Sequence, residues 1–242
     1  MANEIKQSTL GYAHDELQFE GQLFTHADQK TRPGILVAPA FGGLGPLEID
    51  YARRLADLGY VTLAVDYYGD AARVETQPEA YALMRAVEAD RPVLAKRMQA
   101  AMTALQAQSD VEDGRIGAMG FCFGGKAVLD LARSGAPIKA CVPIHGVYDA
   151  PPDPAQAMPG SVLVLHGWDD PLATPEQLTA LAAELTVVCD DWQVLGFGGT
   201  GHAFTNPGAQ SHDAGMGYSA RASDRAWTAL TKFFDETLNS DG

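Results

Sequence analysis

Cys122 stands in the run Gly120-Phe121-Cys122-Phe123-Gly124-Gly125, where an apolar stretch stops and a helical pattern begins. The spacing matches the G-x-S-x-G turn that exposes a nucleophile between a strand and a helix, with sulfur in place of oxygen. That turn is so sharp that the residues two before and two after the nucleophile must lack a bulky Cβ, and Gly120 and Gly124 meet the condition. A thiol at a helix N-terminus also lies where the helix dipole favours the thiolate. The competing role for a free cysteine is that of a small buried hydrophobe.

A nucleophile of this kind needs a base, and the base needs an acid to orient it. The turn predicts the chain order nucleophile, acid, histidine. Cys122 is followed by His166-Gly-Trp-Asp-Asp-Pro171 and then by Gly199-Thr-Gly-His-Ala-Phe-Thr-Asn-Pro207. Asp170 precedes Pro171, which biases it towards an extended conformation as the chain leaves a strand. Asp169 then points the other way, so Asp170 is the expected acid. His202 sits among Gly198, Gly199 and Gly201, a loop able to bring a ring close to Cys122. His145 and His166, each before a glycine at a strand end, read as hydrogen-bonded structural residues. None of the six histidines has a metal-ligand spacing such as H-x-x-x-H, and no metal is expected.

The elements that must position these residues alternate. Residues 8–25 read as an antiparallel edge hairpin punctuated by Gly11 and Gly21. Continuous apolar runs at 34–41, 60–69, 138–146 and 161–167 read as buried strands, and 115–122 and 192–199 as two further strands. Between them lie helical patterns, among them a charged stretch over 78–109 with Pro92 at a first-turn position, and the capping box Thr174-Pro-Glu-Gln177. A last helix carries Trp227, Leu230, Phe233, Phe234 and Leu238 on one side. Strand–helix alternation predicts an α/β chain, mainly parallel, with helices on both faces, and residues 1–242 are expected to form one domain. Ligands in such sheets bind at the strand C-ends, where the candidate residues fall.

Seventeen basic against thirty-one acidic residues give a net charge of −14, a field that repels nucleic acid and anionic membranes. Three scattered cysteines form no disulfide framework and suit a reducing, cytoplasmic setting. The first residues lack the apolar region of a signal peptide, and no run approaches membrane-helix length.

Taken together, "GFCFGG", "HGWDDPLATPEQ" and "GHAFTNPGA" resemble the dienelactone hydrolase family of the α/β-hydrolase fold, and "ADLGYVTLAVDYYGD" resembles the stretch after that family's first main helix. The resemblance covers the chain from about Gly34 to the last helix. It implies catalytic Cys122, Asp170 and His202, and an oxyanion hole made by the backbone N–H groups of Phe41 and Phe123. It implies hydrolysis of small esters or lactones through an acyl-thioester, with no cofactor. Two positions depart from the family. A glutamate that helps to activate the cysteine is replaced by Ala40, with Glu48 eight residues on reading as an ordinary first-turn helix charge. An arginine for the substrate carboxylate is replaced by Asn206.

Tyr67, Tyr68, Phe121 and Trp168, with Asn206, are candidates for the substrate wall, with core packing as the competing role of the aromatics. Two other readings of the same residues stand beside hydrolysis. One is acyl transfer, in which an alcohol or thiol intercepts the thioester. The other is a binding or redox-sensing module in which Cys122 is a contact without turnover.

Overall fold

The structure is a computed structural model and describes residues 4–239. The expectation of a single domain over 1–242 therefore reaches beyond the described residues at both ends. The chain begins with an antiparallel hairpin, β1 (Ile5–His14) and β2 (Leu17–His26). Its turn falls at Asp15, in left-handed backbone at φ 52°. Gly11 and Gly21, expected as punctuation, lie inside the strands opposite Glu20 and Leu10. Asp15 and Glu16 supply the polar turn instead, because aspartate tolerates left-handed backbone.

The apolar runs form the central strands: β3 (Arg32–Ala38), β4 (Val61–Ala64), β5 (Val111–Phe121), β6 (Ala140–Ile144), β7 (Ser161–Gly167) and β8 (Trp192–Phe197). They join the hairpin in one eight-stranded sheet of order β1-β2-β4-β3-β5-β6-β7-β8. All contacts from β4 through β8 are parallel, while β2 meets β4 antiparallel. Burial on both faces explains why β3 to β7, in β5 from Ile116 onward, read as unbroken apolar runs rather than alternating ones.

Helices α1 (Pro46–Asp57) and α6 (Ala220–Asn239) cover one face around Tyr51, Leu55, Leu230 and Phe234. Helices α3 (Arg91–Gln106), α4 (Phe123–Arg133) and α5 (Pro175–Val188) cover the other around Leu94, Met98, Leu129 and Leu181. The helical stretch over 78–109 is two helices, α2 (Gln77–Glu88) and α3, and Pro92 stands in the first turn of α3 as expected. Pro92 lacks an N–H and cannot sit in a helix interior, so the helix is interrupted just before it. A small ribbon, β9 (Gln210–Ser211) and β10 (Met216–Gly217), was not foreseen, since two-residue strands leave no pattern to read.

From β3 the sheet grows one way to β4, and from β5 the other way to β6. The crevice at such a switch point is where an open α/β sheet receives ligands. The loops leaving β3 and β5 carry Phe41 and Cys122. Among the described residues no helix is long and apolar enough to cross a membrane.

Candidate active site

Cys122 is the N-cap of α4, with φ 54° and ψ −115°, and is half-buried. Left-handed backbone at a residue other than glycine costs ~1–3 kcal/mol and is kept where the surroundings over-determine it. The surroundings do so here. The Cys122 N–H donates to the Ile144 carbonyl at the end of β6 (3.1 Å), and its own carbonyl accepts from Gly125 (3.0 Å) and Lys126 (3.3 Å). A Cβ on Gly120 would lie 2.2 Å from the Gly124 carbonyl oxygen, and one on Gly124 2.3 Å from that of Ala38. Both glycines are therefore fixed by close approach of backbone to backbone, and that approach presses the start of α4 onto the loop that follows β3.

That loop carries Phe41. The hydroxyl of Tyr67 donates to the Pro39 carbonyl and that of Tyr68 to the Phe41 carbonyl (2.9 Å). Tyr68 also stacks on Phe123, with planes 7° apart and centroids at 6.5 Å. The N–H of Phe123, at the first position of α4, has no acceptor within its helix. Tyr68 thus braces together the two residues whose amides were expected to form an oxyanion hole.

Glu48 stands in the first turn of α1, as the sequence reads, but it is no ordinary helix charge. It is only 4% exposed, and its carboxylate accepts from the Ala40 N–H (3.2 Å) and the Gly45 N–H (3.0 Å). Burial pushes its carboxyl up from the usual range, against those backbone bonds and the positive charge of Arg73. It is an anchor of the loop rather than an exposed helix charge. A glycine N-cap before Pro46, three residues ahead of an acid, was the available signal, but it gives no measure of burial.

His202 and Asp170 meet. Nδ1 of His202 lies 2.7 Å from Oδ2 of Asp170, and the second carboxylate oxygen accepts from the Leu172 N–H (2.8 Å). Both side chains are buried. Asp169 is exposed and offers its backbone N–H to the Thr200 carbonyl instead. The histidine loop is held on β10: the His202 N–H donates to Gly215 (2.7 Å), and the Gly217 N–H donates to the His202 carbonyl (3.1 Å). A Cβ on Gly201 would lie 2.0 Å from the Gly215 oxygen, so this seat needs glycine.

Nε2 of His202 is buried without a conventional hydrogen bond among the described residues. Burial by itself would lower the affinity of this ring for a proton. The neighbouring Cys122 and Asp170 outweigh it, and the imidazole is pushed up to about 10. The remaining two histidines of the sheet edge pack around this one. His145 is edge-on to His202, with centroids 5.0 Å apart, and His166 is hydrogen-bonded through Nδ1 to the Tyr148 hydroxyl (3.1 Å). Burial, with the charge on His202, holds both below the usual imidazole range, although Asp170 works against this at His166. Their proximity to His202 was not legible, because sequence spacing says nothing of which strand ends adjoin.

The expected substrate wall is placed differently from residue to residue. Tyr67 and Phe121 are fully buried. Tyr67 packs with Tyr68 and Phe123, while Phe121 packs on Tyr51 and His145. Both rings are packed into the core in this structure, with no face open to solvent, the role that competes with a place in the substrate wall. Tyr68 is 8% exposed and acts as the brace just described. Trp168 is 49% exposed, edge-on to His166. Asn206 is half-buried and spends its side-chain oxygen on the Gly208 N–H (2.9 Å), shaping its own turn. An exposed aromatic that was not foreseen, Tyr81 of α2, packs edge-on against Phe41 at 5.3 Å. Among the described residues no group of three or more His, Cys, Asp or Glu is placed to hold a metal ion.

The arrangement has relatives. A solved dienelactone hydrolase-like promiscuous phosphotriesterase from metagenomic libraries is 38% identical, superposes with a TM-score of 0.90, and covers 97% of this chain and 99% of its own. A second solved structure, m3DLH, is 37% identical with a TM-score of 0.91 over 97% of this chain and 99% of its own. A Bradyrhizobium protein named "probable 2-oxo-3-(5-oxofuran-2-ylidene)propanoate lactonase" is 29% identical over 187 residues, 71% of this chain and 73% of its own length. The sheet and its flanking helices are those of the α/β-hydrolase fold, as the sequence led one to expect. With residues 19–238 matching the profile of that family from β2 to the end of α6, the chain belongs to the dienelactone hydrolase family.

Proposed function

We propose that the chain hydrolyses small esters or lactones, with Cys122 as nucleophile, His202 as general base and then acid, and Asp170 as the group that orients and charges His202. The observation that carries this reading is the buried Asp170–His202 pair, in which Nδ1 is taken by Asp170, Nε2 is left over, and Cys122 and Asp170 together raise the ring against its burial. The Cys122 proton passes from Sγ to Nε2, and the thiolate adds to the substrate carbonyl carbon. The resulting oxyanion takes hydrogen bonds from the N–H groups of Phe41 and Phe123, each donor of this kind lowering the barrier by ~3 kcal/mol. As the carbon–oxygen bond to the leaving group breaks, His202 returns the proton to the departing alcohol, leaving an acyl-thioester. Water then gives a proton to His202 and its oxygen to the carbonyl. Collapse releases the acid and restores the thiol. No step draws on a metal or organic cofactor.

Conversion of a p-nitrophenyl ester of a short acid tests the reading. Cys122→Ala should abolish turnover with the circular dichroism spectrum unchanged, and mass spectrometry of the wild type should trap an acylated peptide containing Cys122. Wild-type activity in Cys122→Ala overturns the nucleophile.

The 38% identity to a promiscuous phosphotriesterase favours a second substrate class for the same groups. In an aryl phosphate triester the thiolate would attack phosphorus, and the aryl oxide would leave. Release of p-nitrophenol from such a triester by the wild type, lost in Cys122→Ala, checks it.

A further inference from the structure

His145 occupies an unusual place for a residue read as structural. The residue before it, Ile144, accepts the Cys122 N–H, and the His145 N–H donates to the Leu165 carbonyl of β7 (2.8 Å). Its backbone is left-handed, with φ 37°, as is that of Ala203 next to His202, with φ 57°. With Cys122 that makes three such non-glycine residues converging on one site, where stored backbone strain is characteristic of function. The His145 side chain reaches the other half of the site. Nε2 lies 2.8 Å from the Thr205 hydroxyl, and Thr205 is 2% exposed on the His202 loop. The ring meets His202 at 65° and Phe204 at 80°, with centroids at 5.0 and 5.2 Å. Its Nδ1 is buried without a hydrogen-bond partner among the described residues. A position that served packing alone would be filled more cheaply by an apolar side chain, since an unpaired buried polar atom costs ~1–3 kcal/mol.

We infer that His145 is a positioning residue that spans the elbow of Cys122 and the loop of His202, and so sets how the His202 ring is presented to the thiol. This rests on the reading of Cys122 and His202 given above. The titratable group that faces His145 is His202, and through it Asp170 and Cys122; the other rings in contact, Phe121 and Phe204, carry no charge. A neutral His145 leaves His202 as the ring of this pair that carries the proton, because two imidazolium ions at such a distance repel. Either tautomer of a neutral ring can bond the Thr205 hydroxyl, which donates or accepts.

The test is the pH dependence of Cys122 alkylation by iodoacetamide on the full chain, with peptide mass spectrometry to separate Cys122 from Cys141 and Cys189. In His145→Leu and in Thr205→Val the reactivity at about pH 6 should fall roughly tenfold, while that at about pH 9 stays within about twofold, a shift of one unit in the acid limb. Thr205→Ser, which keeps the hydroxyl, should restore the wild-type profile. A generally loosened core would raise alkylation at every pH and unmask the buried cysteines, and that outcome overturns the inference. So does a wild-type profile in both folded variants. If His145→Leu fails to fold, Thr205→Val decides alone. Failure of the underlying reading looks different: wild-type Cys122 would react at about pH 6 no faster than a free thiol.

Discussion

Oδ2 of Asp170 lies 2.7 Å from Nδ1 of His202, and neither group is open to solvent. The bond occupies Nδ1 and leaves Nε2 as the nitrogen available to a reacting group. Asp170→Asn keeps the shape but offers an amide in place of the charge, which favours the wrong tautomer. We expect kcat for a p-nitrophenyl ester to fall by roughly 10³–10⁴, as for the equivalent change in a serine triad. Asp169→Asn, one residue away and exposed, should stay within about twofold, because surface changes away from a site act weakly.

The charge on His202 has a stated cause and can be removed. Burial lowers its proton affinity, and Cys122 is the larger of the two neighbours that raise it. In the wild type the ring should titrate near 10 by heteronuclear NMR, and in Cys122→Ala well below that. The sign for stability follows from linkage. A histidine raised in the folded state contributes stability that is fully present below its unfolded value, near 6.5, and lost as pH rises towards about 10. The wild-type melting temperature should therefore decline more steeply across that interval than that of Cys122→Ala.

The residues that are informative in sequence are those whose chemistry is local. Asp170 could be preferred over Asp169 because a following proline dictates backbone direction, and β3 to β7 were legible because burial on both faces leaves unbroken apolar runs. The strand carrying Cys122 ends at Phe121, one residue short of the run read as 115–122, since the sharp turn removes Cys122 from the ladder. What stayed hidden depends on which elements adjoin. Glu48 at a helix start looks like any acid favoured by the dipole. Only the approach of Ala40 and Gly45 to its two oxygens shows that it is buried. Tyr67 and Tyr68 have the composition of a ligand wall, and their hydroxyls instead hold the carbonyls of Pro39 and Phe41.

Glu48 therefore makes a prediction of its own. Its two carboxylate oxygens each accept a backbone N–H, so Glu48→Gln would set an amide NH₂ against one of those donors. The loop carrying Phe41 should shift, and a misplaced oxyanion donor costs up to about 10²–10³ in kcat. KM should change little if the effect is confined to the transition state. A fall in kcat/KM carried by KM alone would place Glu48 in substrate binding instead.

Helix α4 holds the last of these consequences. Lys126, Asp130 and Arg133 lie along one stripe, which in sequence resembles a solvated face, yet all three are under 5% exposed. Asp130 bonds Arg91 through both its oxygens, and Arg133 at 3.2 Å. Arg133 in turn bonds Glu184 of α5 at 2.8 Å, and Lys126 reaches Glu88 of α2 and Asp149. The helix that begins at Cys122 is thus clamped to α2, α3 and α5 by charge. Such a network contributes little against an apolar replacement of the whole, but removing one member strands its partners in a poor solvent. In Asp130→Ala neither arginine is wholly stranded, because Arg91 keeps Asp149 and Arg133 keeps Glu184, and a loss of about 1.5–3 kcal/mol, the scale of hydrogen bonds to charged groups, is expected from chemical unfolding. The exposed pair Arg54–Asp50, at 3.6 Å on α1, gives the contrast: Asp50→Ala should cost less than about 1 kcal/mol and lose even that in high salt. Equal losses from the two substitutions would mean that the α4 charges are hydrated in solution and that packing alone holds the elbow in place.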